Sequence, residues 1–128
     1  MARIFGNRVI WNQVFPACEE QLTLVRRAVS KAAAGCPERN SIVLLANELA
    51  TNAIKHSGSE IFGLIVTRTT TGLRVAVVDE GRTGFPQLRE KIADAERGRG
   101  LQLIDDLAQR WGVVRQAGIG VAVWFDIP

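Results

Sequence analysis

The stretch LANELATNAIKHSG, residues 45–58, carries Glu48, Asn52, Lys55 and His56. At 3.6 residues per turn these four side chains leave a helix within an arc of roughly 100°. A carboxylate at Glu48 can take the proton of a hydroxyl nucleophile. The amide oxygen of Asn52, one turn on, suits a hard cation such as Mg²⁺, which takes few protein oxygens and keeps water and phosphate as its other ligands. The ammonium of Lys55 can meet a phosphate. His56, the single imidazole of the chain, reads as a packed or helix-end residue before it reads as a catalyst. The same four residues can also be the solvated stripe of an amphipathic helix. The helix alone does not choose.

Two further features carry chemistry. Asp79-Glu80-Gly81 ends the apolar run LRVAVVDEG. Those residues make an ordinary turn, or they set a carboxylate at the mouth of a sheet to accept hydrogen bonds from a ligand amine. Gly98-Arg99-Gly100 stands where a long loop enters a helix, with Arg97 just before it. Glycine there is conformational punctuation, or it frees backbone N–H groups at a helix start for an anion, helped by the two arginines. Other signatures are missing. No glycine is followed by lysine, and there is no nucleophile elbow, zinc-type histidine pair or G-x-G-x-x-G run.

The elements that must position these residues follow from periodicity. Residues 3–15 read as extended, with a short hairpin about Gly6-Asn7. Pro16 is expected to open a helix on which Cys18, Leu22, Val25, Val29 and Ala32 recur at helical spacing, ended by Gly35 and Pro37. A second helix is expected from about Pro37 to Ser57, closed by Gly58 and apolar over most of its circumference, as a largely buried helix is. EIFGLIVTRTTTGLRVAVVDEG is two β-rich runs broken at TTTG, an antiparallel hairpin. From Gly81 to Gly98 the pattern gives way to glycine, proline and mixed charge, a long loop that reads as a functional lid or a disordered segment. A third helix is expected from about Gly100 to Trp111, with Leu101, Ile104, Leu107, Ala108 and Trp111 on one face. WGVVRQ and GVAVWFDI are the last strands. This order predicts an α+β fold: a two-layer sandwich of a mostly antiparallel sheet covered on one face by three helices.

Composition narrows the class. The 128 residues, 47% hydrophobic and 23% charged, are expected to form one domain spanning 1–128. The 16 basic residues are interleaved with 13 acidic ones, no basic run exceeds Arg26-Arg27, and there is no tyrosine. That is not the clustered charge with stacking aromatics of a nucleic-acid surface. No apolar run approaches the roughly 20 residues of a membrane span, and the first residues lack the pattern of a secretory signal. A cytoplasmic location is expected, with no direct nucleic-acid or membrane partner. Cys18 and Cys36 flank one helix and read as reduced packing residues.

Taken together, Glu48-x-x-x-Asn52-Ala-Ile-Lys-His-Ser, then Asp79-Glu80-Gly81 after a strand, then a charged loop and Gly98-Arg99-Gly100-Leu101 opening a helix, resemble the GHKL ATPase superfamily with its Bergerat-type ATP-binding fold. The resemblance runs from Phe15 to the end of the chain. Within that superfamily the chain looks like the small stand-alone bacterial anti-sigma factors that are also serine/threonine protein kinases. A histidine kinase needs a phosphoacceptor histidine in a dimerisation hairpin, and the one histidine here lies inside the nucleotide motif.

The resemblance implies a role for each matching residue. Glu48 would be the general base, Asn52 the Mg²⁺ ligand, and Lys55 a phosphate contact. Asp79 would accept a hydrogen bond from the adenine amine of ATP. Gly81 and Gly84 would let the backbone approach the nucleotide, and Gly98 and Gly100, flanked by Arg97, Arg99 and Leu101, would cradle phosphate. The chain departs from the family pattern at Thr83, which precedes Gly84, and at Ala122, read as the place where relatives often carry an adenine-holding threonine. The implied partners are a sigma factor held by direct binding, a STAS-type anti-anti-sigma factor phosphorylated on serine or threonine, and a second copy in a homodimer. Two other readings stay open: a module that binds nucleotide and sequesters its partner without phosphoryl transfer, and a detached ATPase with no protein substrate.

Overall fold

The computed structural model describes residues 7–80, 102–116 and 120–128. In chain order they form β1 (Arg8–Pro16), a 3-10 turn (Glu19–Gln21), α1 (Leu22–Ala32), α2 (Arg39–His56), β2 (Ile61–Arg68), β3 (Leu73–Asp79), a short helix α3 (residues 102–107), β4 (Arg110–Gln116) and β5 (Gly120–Ile127). The strands make one sheet in the order β1-β2-β3-β5-β4, every neighbouring pair antiparallel. This is the expected α+β sandwich.

Strand alternation builds the core. Phe62, Leu64 and Val66 of β2, Leu73, Val75 and Val77 of β3, and Val121, Val123, Phe125 and Ile127 of β5 are all buried on one face. Onto that face α2 lays Ile42, Leu45, Ala46, Leu49, Ala50 and Ala53. Three of these are alanine, which lets the helix approach the sheet closely. Phe15 of β1, Val25 and Val29 of α1, Ala33 just after it and Ile104 of α3 complete the cluster. α1 and α2 run antiparallel: Arg26 Nη1 donates to Asn47 Oδ1 at 2.9 Å, and Arg39 Nε donates to the Ser30 carbonyl at 2.9 Å.

Three local expectations change. Pro16 ends β1 opposite Ile61 instead of opening a helix; β1 is an edge strand, where a residue without N–H is tolerated, and helix α1 starts only at Leu22. The first arm of the hairpin about Gly6-Asn7 lies outside the described residues, and from Arg8 onward the chain pairs with β2. The third helix is shorter than its periodicity suggested. It ends at Leu107, which is exposed, while Trp111 faces Phe125 across the β4–β5 ladder. The reason is Asp126. Its carbonyl accepts from Gln109 N–H at 2.8 Å and its carboxylate accepts from Arg110 Nη2 at 2.9 Å, so the strand begins where a helical turn would have continued. Leu101 and the loop from Gly81 to Gly98 lie outside the described residues.

Asp126 also departs from simple alternation. It stands on the face away from the helices yet is 3% exposed. Arg74 closes over it with Nε–Oδ1 at 2.7 Å and Nη2–Oδ2 at 3.0 Å, and the same guanidinium lies 4.3 Å from the Trp124 ring centroid. A buried carboxylate needs such pairing. Hydrogen bonding to Asp126 in turn pushes the Arg74 pKa up.

At the other end of the sheet β5 starts at Gly120, with φ +141° and no room for a side chain: a Cβ would fall on the Asp79 carbonyl oxygen. Gly120→Ala should therefore lose about 1–3 kcal/mol, the usual cost of such backbone strain. The measurement is urea denaturation followed by circular dichroism. An unchanged midpoint would show that the β3–β5 junction is not as tight as described.

Candidate functional site

The site residues are placed by the roll of α2. Its buried stripe faces the sheet, so Glu48 and Asn52, one turn apart, come out half-buried on the shoulder beside Leu45 and Leu49. Lys55, one turn further, is exposed, and its Nζ lies 3.7 Å from Glu19 Oε1, with the two side chains 43% and 66% exposed. An ion pair that open is weak and easily exchanged for another anion. His56 is the last residue of α2 and half-buried.

Asp79 is the last residue of β3 and falls on the same face as Leu73, Val75 and Val77, the face that α2 covers. It is only 6% exposed. Its backbone is paired on both sides, with Phe62 of β2 and Val121 of β5. The β-strand period thus carries a carboxylate into the layer between sheet and helices, at the strand end from which the chain leaves toward residue 81.

A string of hydrogen bonds ties that strand end to α2. Ser57, 1% exposed, donates through Oγ to the Ala53 carbonyl at 2.6 Å and accepts from Ser59 N–H at 3.0 Å. Ser59 Oγ accepts from Glu80 N–H at 2.7 Å, and Glu80 Oε1 accepts from Glu60 N–H at 2.8 Å. Gly58, with φ +73°, makes the turn that brings Ser59 back.

Four of the sequence-derived candidates are thus described: Glu48, Asn52 and Lys55 on α2, and Asp79 on the sheet face beneath it. Gly81, Gly84, Arg97, Gly98, Arg99, Gly100 and Leu101 lie outside the described residues, as does Thr83. One sequence reading is corrected. Ala122 pairs with Val78 and Val114 on the face away from the helices, whereas Val121 is the β5 residue beside Asp79. The signal was available, since Val121, Val123, Phe125 and Ile127 form the inward set. Ser59 and Gly120 carry no signal in the sequence, and Glu80 stands in it only as the middle of Asp79-Glu80-Gly81. Nothing in their spacing reveals that a residue after α2 grips one after β3.

The donor set is made of oxygens. Among the described residues no three His, Cys, Asp or Glu side chains gather as a metal site. A cation beside Asn52 would be held by its amide oxygen and by a ligand's own oxygens, a coordination that suits Mg²⁺. An apolar cavity of about 420 Å³ runs along β1 and β2 to the end of β3, lined by Val9, Val14, Ile61, Val78, Asp79 and Glu80 among others. Neither Glu48 nor Asn52 borders it.

Among known protein families, the one described as the histidine kinase-like ATPase domain matches residues 15–127. No curated protein matches the chain.

Proposed function

The chain belongs to the histidine kinase-like ATPase domain family, an ATP-binding class, and from that premise we propose that it is an ATP-dependent serine/threonine protein kinase that doubles as an anti-sigma factor. The observation that carries the nucleotide part is the placement of Asp79. It is a buried carboxylate on the helix-covered face, on the same side of the sheet as the α2 shoulder that bears Glu48 and Asn52.

In this reading Asp79 accepts a hydrogen bond from the adenine amine, in a setting dry enough for a charged acceptor to count. Asn52 offers its amide oxygen to Mg²⁺, which when bound neutralises phosphate charge. Lys55 exchanges Glu19 for a phosphate oxygen. Glu48 takes the proton of the acceptor hydroxyl, so that the oxygen attacks the terminal phosphorus in line. Gly81, Gly84, Arg97, Gly98, Arg99, Gly100 and Leu101 belong to the proposed site through the family resemblance. The protein substrate is a STAS-type anti-anti-sigma factor, modified on serine or threonine, and the sequestered partner is a sigma factor.

Val121 favours the main alternative, a module that sequesters its partner without phosphoryl transfer. The residue that β5 sets beside Asp79 offers no side-chain hydrogen bond. Glu48 favours the kinase, because a binder has no use for a base.

A homodimer is part of the proposal, and the open face of the sheet supports it. Two rows cross that face, Asn12-Ile65-Ala76-Trp124-Gly112 and Val14-Gly63-Val78-Ala122-Val114, without one charged residue. A solvated antiparallel face is ordinarily polar. Val14 is 62% and Val114 49% exposed. Arg74, Asp126 and Arg110 edge the patch, giving the apolar centre and charged rim of an interface. Five strands about 4.8 Å apart, each near seven residues at about 3.4 Å, present on the order of 550 Å² per copy. Two faces packed as a sandwich would bury roughly 1,100 Å², enough for a specific contact.

Asp79→Asn should weaken ATP binding about tenfold or more with the fold kept; equal affinities by calorimetry would remove Asp79 from the site. Glu48→Ala should slow single-turnover transfer to the antagonist by about 10²–10⁴-fold while ATP affinity and sigma-factor pull-down hold. No transfer by the unsubstituted protein, with ATP and antagonist both bound, would favour the sequestering module. For the dimer, Val14→Glu and Val114→Glu should each shift sedimentation from dimer to monomer without changing the circular dichroism spectrum. A monomer before any substitution would leave the open face to another partner.

A further inference from the structure

The pairing of β2 with β3 ends at Phe62 and Asp79, and the chain continues one residue further in a defined place. Glu80 is held by a reciprocal clasp. Its N–H donates to Ser59 Oγ at 2.7 Å, while its own carboxylate accepts from Glu60 N–H at 2.8 Å. The clasp does for this residue what the ladder does for those before it. It is also connected: Ser59 N–H donates to Ser57 Oγ, and Ser57 Oγ donates to the Ala53 carbonyl, next to Asn52 on the last turn of α2.

We infer that Ser59 and Glu80 are positioning residues for the nucleotide, fixing the aim of Asp79 relative to the α2 shoulder. The inference rests on the reading of Asp79 as the adenine acceptor. A carboxylate's usefulness to a ligand amine depends on angle, and hydrogen bonds weaken steeply once misaligned. The aim of Asp79 is set by its backbone. That backbone is fixed on the upstream side by the strand and on the downstream side by the Ser59–Glu80 pair. Through Ser57 the same pair refers the strand end to α2, so the adenine end and the phosphate end of the site share one frame. A residue that only capped the helix or closed the turn would affect stability without discriminating between ligands.

The test compares two ligands that differ at one group, ATP and purine riboside triphosphate, which carries hydrogen in place of the adenine amine. Calorimetry with Mg²⁺ would give both affinities for the unsubstituted protein, Ser59→Ala and Ser59→Thr. Ser59→Ala should bind ATP about three- to tenfold more weakly, the loss of one hydrogen bond. It should bind purine riboside triphosphate as before. Ser59→Thr, which keeps the hydroxyl, should restore ATP affinity. If Ser59→Ala does not fold, Glu80→Ala breaks the other half of the clasp and should show the same selective loss. An equal fall for both ligands, or none for either, would overturn the positioning role while leaving Asp79 in place. An unsubstituted protein that binds ATP no better than its amine-free analogue would overturn the adenine reading of Asp79, and the clasp's role with it.

Discussion

Burial of Leu45, Leu49 and Ala53 against β2 and β3 sets the roll of α2, and that roll decides where each polar residue on the helix goes. Each residue is offset by 100° from the last. A rotation by one position would drive Glu48 into the core, where an unpaired carboxylate costs several kcal/mol and the helix would not stay. The alanines among the buried positions make the seat close as well as unique. The shoulder that carries Glu48 and Asn52 is therefore a by-product of packing. The same sheet face receives Asp79 through the strand period. Helix roll and strand parity are independent regularities, yet here they deliver their polar groups to one layer.

Much of this was legible in the chain. The α2 stripe, the β2–β3 hairpin broken at TTTG and the two last strands follow from periods of 3.6 and 2, which are local properties. What failed was decided by partners distant in sequence. The Ile104, Leu107, Ala108 and Trp111 spacing is helical, but Arg110 is claimed by Asp126 and Trp111 by Phe125, so the ladder overrides the period. Pro16 looked like a helix opener because nothing nearby showed that Ile61 would lie opposite it. Of the site, Glu48, Asn52 and Asp79 could be found because their types and spacings are informative. Ser59 and Glu80 could not, because their relation exists only once the hairpin folds.

The two faces of the sheet solve different problems. Among the described residues, the buried side chains on the helix-covered face of the sheet are apolar save for Asp79, so the polar exception marks the chemistry. The other face inverts this: it is uncharged across its middle, and the buried carboxylate there, Asp126, is fully engaged by Arg74 and Arg110. Asp126 shows what a structural carboxylate looks like in this fold, with two guanidinium partners and a stacked tryptophan beneath one of them. Burial alone would not have distinguished the two aspartates. Their faces do.

The strand order β1-β2-β3-β5-β4 has a kinetic and evolutionary side. β3 must find β5, joining Asp79 to Val121 across everything between them. Closing so large a loop is slow, as non-local pairing is. Once closed, however, its cost grows only with the logarithm of its length, and doubling the loop would cost about 0.6 kcal/mol. A change of length between β3 and β4 therefore adds little loop-closure cost to the sheet, provided that Ile104 keeps its place in the core. A fold wired this way tolerates changes of length beside the strand end that bears Asp79, where insertion and deletion can be selected for what they do to a ligand or partner.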